Sequence, residues 1–324
     1  MRAMILAAGL GTRLQPLTEL RAKPALPVVG RPIIGFLLEW LHHHGVTEVF
    51  INLHHRGDSI REAVEAFGPT GLRVEYAHEA VPLGTGGGLY RARHFLKQSD
   101  PAIVIAGDML VDTDLSALIR RHRERQAACT LILRRDPRAE TFGSIGIDHL
   151  HRVRRIAQRF NLGQESDAGL FTGIRLISPA LFETCPPHPP ETPFEDLSDW
   201  LAPALESGHS GIHGEILEAE DSVWMPVGTP AEYLAANFSP PSLDYLGSAD
   251  PQAAGTRVQS EPTPLVLGRG ASLGHGAHLE RCVVWENEVV PAGFEGRGGV
   301  FAQGRFYALE TPQVPQPPNR SDRT

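Results

Sequence analysis

The chain has 324 residues, 41% of them hydrophobic, with a formal net charge of −8 and an isoelectric point near 6.0. That length suits one large α/β domain with an appendage, and the acidic balance excludes a nucleic-acid surface held by bulk charge. Cys129, Cys185 and Cys282 are too scattered for a disulfide framework or a zinc motif, and no apolar run reaches membrane-spanning length. Composition therefore points to a soluble, cytoplasmic protein without nucleic-acid or membrane partners.

In chain order, Met4 to Ala8 reads as a buried strand, broken at Gly9 and Gly11. Glycines let the backbone approach a bulky anion closely, and the N–H groups of such a loop can cradle phosphate oxygens. Arg13 adds a fork-shaped phosphate donor and Lys23 a compact positive charge. A secretory signal would need a longer apolar run. A dinucleotide fingerprint would need a third glycine where Leu14 stands, and a P-loop would need Gly-Lys-Ser/Thr.

After a turn at Val28–Pro32, the spacing predicts a helix over Ile33 to His44, ended by Gly45. A strand at Val49 to Leu53, a helix from about Asp58 to Phe67 capped by Asp58 or Ser59, and a strand at Leu72 to Ala77 follow. Strands alternating with helices predict a mainly parallel, doubly wound sheet with ligands at the strands' carboxyl ends. His42–His44 and His54–His55 have no spaced Cys or carboxylate partner and read as helix-end and surface histidines, not as metal ligands.

The run His78-Glu79-Ala-Val-Pro-Leu-Gly-Thr-Gly-Gly-Gly88 is either a connector into a helix at Leu89–Leu96 or a loop on which something flat lies. Ile103 to Asp108 is an apolar strand ending in Gly-Asp, where a carboxylate either caps a turn or faces the ligand crevice and suits a hard cation. Asp112 and Asp114 are placed to cap a helix beginning near Leu115. A strand is expected at Cys129–Arg134, a proline-rich loop at Phe182–Pro193, and a helix at Phe194–Glu206 with Glu195 or Asp196 in its first turn. The basic clusters Arg120–Arg125 and Arg152–Arg155 read as solvated faces.

From Phe238 to about Pro262 the composition is that of a linker. Beyond it Leu267, Leu273 and Leu279 recur every six residues, with Ala271 and Ala277 in step and glycines between. That beat predicts a short left-handed parallel β-helix, against an irregular Gly-rich hairpin pair as the alternative. The tail from about Glu310 reads as disordered.

Met4 through Pro27, with Gly9-Leu-Gly-Thr-Arg13 and Lys23-Pro at its ends, closely resembles the signature of the sugar-1-phosphate nucleotidyltransferases. Residues 1 to about 238 follow that family nearly end to end, nearest to its N-acetylmuramate-1-phosphate uridylyltransferase, mannose-1-phosphate guanylyltransferase and glucose-1-phosphate thymidylyltransferase branches. The resemblance implies a Rossmann-like nucleotidyltransferase domain of α/β class over 1–238. Composition and the six-residue beat divide the rest into a linker over 239–262, a β-helix-like segment over 263–309, which many members of the family also carry, and a tail over 310–324. The resemblance further implies that Arg13, Lys23 and Asp108 are catalytic, with Asp108 on Mg²⁺. Ala8, Gly9, Gly11, Thr12, Arg13, Glu79, Gly84 and Gly86 would bind the nucleotide, since Pro82 to Gly87 matches the family's base- and sugar-enclosing loop. Phe142–Asp148 and Phe171–Pro179 resemble two of the family's strands, on which Gly143, Thr172 and Gly173 would meet the sugar, with Arg159 standing where relatives carry a phosphate-binding lysine. The substrates implied are a nucleoside triphosphate and a sugar 1-phosphate, and a β-helix stub leaves a homo-oligomer open. One position departs from the pattern. Val223-Trp-Met-Pro-Val-Gly-Thr-Pro230 carries Pro226 where the family has a second metal-binding aspartate, and proline offers no side-chain oxygen. This raises a rival expectation, a weak or inactive homologue that binds nucleotide or nucleotide-sugar and regulates a partner.

Overall fold

The computed structural model describes residues 1–139, 143–185, 191–246, 255–260 and 263–309. Phe142, part of the proline-rich loop, part of the linker and the tail from Glu310 lie outside the described residues. Strands Arg73–His78, Glu48–Leu53, Arg2–Leu6 and Ala102–Ala106 lie side by side and parallel. The expectation from the strand–helix alternation holds there. Beyond them the long strand Asp167–Ile177 runs antiparallel to Ala102–Ala106 and turns the sheet mixed. It carries Cys129–Arg134 on one stretch and Ile145–Ile147 on another. Helix Ile33–His43 packs eight buried residues, Trp40 among them, against the parallel half.

Several local expectations shift for identifiable reasons. Helix Gly57–Phe67 takes no side-chain cap from Asp58 or Ser59; the Ser59 hydroxyl instead accepts the Ala22 N–H at 2.9 Å. Asp114 does cap Leu115–Glu124, accepting from the Ala117 N–H at 2.9 Å. The helix expected at Leu89 begins inside the glycine run, as Gly84–Arg91, and continues as Arg93–Leu96. The helix expected at Phe194–Glu206 starts as a π-helical turn, Leu197–Leu201, before Ala202–Glu206.

In the C-terminal stretch, Leu265–Leu267, His278–Val284 and Glu295–Ala302 pair in parallel, as do Ser272–Leu273 and Val289–Val290. The partners Leu265–Cys282, Ser272–Val289 and His278–Glu295 keep one constant spacing along the chain. The leucine beat is not uniformly inward: Leu267 and Leu279 are buried, whereas Leu273 is exposed. Arg257–Gln259, within the stretch read as linker, pairs antiparallel with Leu265–Leu267. One face of this coil joins the main core, with Val266, Val283, Trp285, Val300 and Ala302 in the same apolar cluster as Leu37 and Tyr233. Among the described residues no helix is long and apolar enough to cross a membrane.

Candidate active site

Two adjacent parallel strands, Arg2–Leu6 and Ala102–Ala106, end together, so the chain after each emerges at the same sheet edge. The Gly107 N–H donates to the Leu6 carbonyl at 2.9 Å, which brings Asp108 beside the loop that follows Leu6. That loop passes Ala8, buried, and the exposed Thr12 and Arg13, with Gly11 in the left-handed conformation. Among the described residues the N–H groups of Gly9 to Arg13 and the Arg13 guanidinium make no hydrogen bond, so these donors remain available. Lys23 returns from the next turn and sets Nζ 2.6 Å from Asp108 Oδ2.

Opposite, strand Val223–Pro226 pairs with Met109–Asp112, Pro226 facing Met109, and the Val227 N–H donates to the Asp108 carbonyl at 2.8 Å. Pro226 thus stands beside Asp108, and both line the same cleft. Thr229 caps helix Pro230–Phe238, and Glu232 turns back to accept the Gly228 N–H at 2.8 Å, a capping-box arrangement. A Cβ at Gly228 would lie 3.2 Å from Glu232 Oε2, 3.3 Å from Arg13 Nη2 and 3.4 Å from Lys23 Nζ. Three charged groups therefore converge on Gly228, where an added Cβ would crowd the ends of their side chains.

Arg13, Asp108, Pro226, Gly228 and Glu232 line one end of a cleft of about 340 Å³, Arg138 also lines it, and Lys23 reaches it through its pair with Asp108. Its other half is apolar, built by Ile145, Ile156, Leu170, Phe171, Leu197 and Trp224, with the backbone of Gly143 at its rim. Arg138 forks onto Asp136, which holds that carboxyl below its ordinary range and raises the guanidinium.

The other expected residues fall around this cleft. Glu79 is buried; Asn52 Nδ2 and the Leu83 N–H donate to its two oxygens at 2.8 and 2.9 Å. Asn52 Oδ1 in turn accepts the Ala7 N–H at 2.8 Å. This relay ties the first loop to the glycine-rich loop, and its central Asn52 carries no local sequence signal. Gly84 and Gly86 face the chain at Phe194: a Cβ on Gly86 would lie 2.3 Å from the Phe194 ring, and the Phe194 carbonyl accepts the Gly86 and Gly87 N–H groups. Close approach there is first of all between two protein segments. The Thr172 hydroxyl donates to the Ile132 carbonyl at 2.8 Å, and the Thr172 carbonyl accepts from Trp224 Nε1 at 3.0 Å. Gly173 follows at a bulge in the strand. Arg159 is exposed and outside the cleft lining, because the turn at Ala157, with φ of 48°, presents Ala157 to the cleft instead.

A hard divalent cation fits this donor set in a limited way. Among the described residues no group of three or more His, Cys, Asp or Glu side chains could hold a metal. Asp108 offers one oxygen not bonded to Lys23, and phosphate oxygens and water can complete such a cation's coordination.

Residues 2–239 match the family model described as nucleotidyl transferase. The chain belongs to the sugar-1-phosphate nucleotidyltransferase family. It is 27% identical over 248 residues to the UTP–glucose-1-phosphate uridylyltransferase of Synechocystis, covering 73% of this chain and 62% of that relative, so it spans less than two thirds of that protein. It is 31% identical over 307 residues to the mannose-1-phosphate guanylyltransferase of Mycobacterium tuberculosis, covering 90% of this chain and 81% of the relative. Among solved structures it resembles HddC from Yersinia pseudotuberculosis complexed with GMP-PN, with a TM-score of 0.59 and 25% identity over 73% of this chain and 97% of that one.

Proposed function

We propose that this protein transfers a nucleotidyl group from a nucleoside triphosphate to a sugar 1-phosphate, releasing a nucleoside-diphosphate sugar and pyrophosphate. The observation that carries the reading is the meeting of Arg13, Lys23 and Asp108 at the ends of two parallel strands, beside a cleft with an apolar half. Nucleotide binding there is supported by the GMP-PN complex of the Yersinia protein.

In this reading the nucleotide lies along Ala8 to Arg13 and the glycine-rich loop, with Gly84 and Gly86 shaping that loop and Glu79 holding it. The sugar lies against Phe171, with Gly143, Thr172 and Gly173 framing its side of the cleft. An oxygen of the sugar phosphate attacks the α-phosphorus, and the bond from that phosphorus to its bridging oxygen breaks, the electron pair leaving with pyrophosphate. No protein nucleophile takes part, so catalysis is positioning and charge neutralisation. The backbone N–H groups of Gly9 to Arg13 and the Arg13 guanidinium bind triphosphate oxygens, and Lys23 offsets charge at the reacting phosphates. Asp108 would hold Mg²⁺, which when bound neutralises and orients phosphate oxygens. The stretch 263–309 is read as a short left-handed β-helix-like coil docked on a 1–238 nucleotidyltransferase domain, on the support of its evenly stepped parallel pairs.

The test is pyrophosphate release with Mg²⁺ across nucleoside triphosphates and sugar 1-phosphates, mannose and glucose 1-phosphate included. One strongly preferred pair is expected. No turnover with any pair, while nucleotide binding persists in calorimetry, would overturn the reading in favour of a regulatory binder. Pro226 alone does not favour that rival, since Arg13 and Asp108 still line the cleft and Lys23 pairs with Asp108. Pro226→Asp is expected to raise turnover at limiting Mg²⁺ by about tenfold, the worth of ~1.4 kcal/mol. A magnesium titration with no gain, in a folded variant, would mean that another group already completes the ion's shell.

A further inference from the structure

The two arginines of the cleft are held differently. Arg13 is unpaired among the described residues, whereas Arg138 is fixed from two sides. Its Nε and Nη2 donate to the Asp136 carboxylate at 2.8 and 2.7 Å, and its guanidinium lies 4.8 Å from the centroid of the Trp224 ring. A guanidinium carries five N–H donors in a rigid fork. Two are engaged here; among the described residues Nη1 makes no hydrogen bond but forms an ion pair with Glu232 Oε1 at 3.7 Å, longer than a hydrogen bond, which leaves its N–H donors open to a closer anion.

The place of Arg138 matters as much as this edge without a hydrogen bond. Side chains alternate along a strand, so Trp224 and Pro226 share one face of Val223–Pro226, and both line the cleft. Pro226 lies opposite Met109, next to Asp108. Arg138, packed on Trp224, therefore stands at the junction between the apolar half and Asp108. A sugar 1-phosphate with its ring in the apolar half and its phosphate toward Asp108 must cross this junction. The other basic side chains of this lobe are directed elsewhere. Arg154 donates to the Gly163 carbonyl, Arg155 to Glu165 and Ser144, and Arg159 is exposed outside the cleft.

We propose that Arg138 is a substrate-binding residue whose Nη1 edge holds the phosphate of the sugar 1-phosphate, while Asp136 and Trp224 keep the fork aimed. This rests on the reading under Proposed function, since it assigns the acceptor's phosphate within that same cleft. Loss of a hydrogen bond between two charged groups leaves the anion without its partner, whereas the triphosphate, on the side of Arg13, is untouched.

The experiment is steady-state kinetics of wild type, Arg138→Gln and Arg138→Lys with the best substrate pair, alongside thermal melting. Arg138→Gln is expected to raise KM for the sugar 1-phosphate by about ten- to a hundredfold, with KM for the triphosphate within about twofold, and Arg138→Lys to recover part of the loss. An active wild type whose sugar 1-phosphate KM stays within about twofold in Arg138→Gln would overturn the assignment and leave the reaction standing. If wild type turns over no pair, the reaction falls. The assignment is then read from tryptophan fluorescence during titration with mannose 1-phosphate and with inorganic phosphate. Binding lost in Arg138→Gln upholds it, and equal or absent binding in both proteins overturns it.

Discussion

Asp108→Asn is expected to cut Mg²⁺-dependent turnover by about three powers of ten or more. The expectation follows from how few groups can hold a cation in this cleft. Pro226 supplies no oxygen, and Glu232 is engaged by the Gly228 N–H. Among the described residues that line the cleft, Asp108 is thus the carboxylate paired with Lys23 at the ends of the two parallel strands, where the proposed reading puts the phosphates. Metal stabilisation of phosphoryl charge is worth several kcal/mol, and each ~1.4 kcal/mol is tenfold in rate. With two carboxylates, loss of one leaves a partial site; with one, loss leaves none. Asparagine keeps the volume and can still accept from Lys23, so melting is expected to change little. Lys23 is nearly enclosed, its side chain 12% exposed, and a large drop in melting would reveal a mainly structural pair. The decisive measurement is turnover against Mg²⁺ concentration. Activity equal to wild type at every concentration would remove Asp108 from the metal site.

How far the site could be read from the chain depended on whether its parts are local. Gly9, Gly11, Arg13 and Lys23 lie within one stretch, and their chemistry is visible in their order. The Gly-Asp at 107–108 is visible because an apolar run ends there, and parallel pairing then sets it beside the first loop. Glu232 stands in the first turn of helix Pro230–Phe238, and nothing local in the chain says that it faces a cleft. What was not legible depends on long-range contact. The glycine-rich loop could be read as a bed for a flat ligand, yet Gly86 is first required by the Phe194 ring over a hundred residues away. Asn52 links Ala7 to Glu79 from near the end of a strand. Arg138 sits in a basic, proline-containing stretch that looks like any surface turn until Trp224 is folded against it. Arg159 is the converse case: position along the chain suggested a phosphate ligand, and one turn with positive φ sends the side chain outward.

Trp285→Ala is expected to destabilise the protein by about 3–5 kcal/mol, although the residue lies far along the chain in a segment whose composition looks like an appendage. Trp285 is 2% exposed, and its Nε1 donates to the Tyr233 hydroxyl at 3.0 Å. That hydroxyl donates in turn to the Pro27 carbonyl at 2.8 Å. The Arg21 guanidinium lies 4.5 Å from the centroid of the indole and pairs with Glu286. Alanine would remove the ring, open a cavity in the shared core, take a donor from a buried hydroxyl and leave Arg21 without its aromatic partner. Trp285→Phe keeps most of the packing and isolates the hydrogen bond, so about 1–2 kcal/mol is expected there. Urea denaturation of the two variants, with a double-mutant cycle to Tyr233→Phe, separates packing from polar coupling. A loss below about 1 kcal/mol in Trp285→Ala would mean that the coil can detach without disturbing the core. The consequence reaches the chemistry because the contacts of Trp285 flank it. Arg21 is two residues from Lys23, and Tyr233 follows Glu232 on the helix whose first turn enters the cleft. The coil therefore braces, from behind, both segments that bring charge to Asp108. In Trp285→Ala, turnover should consequently fall at temperatures below the onset of unfolding, while in Trp285→Phe it should stay close to wild type.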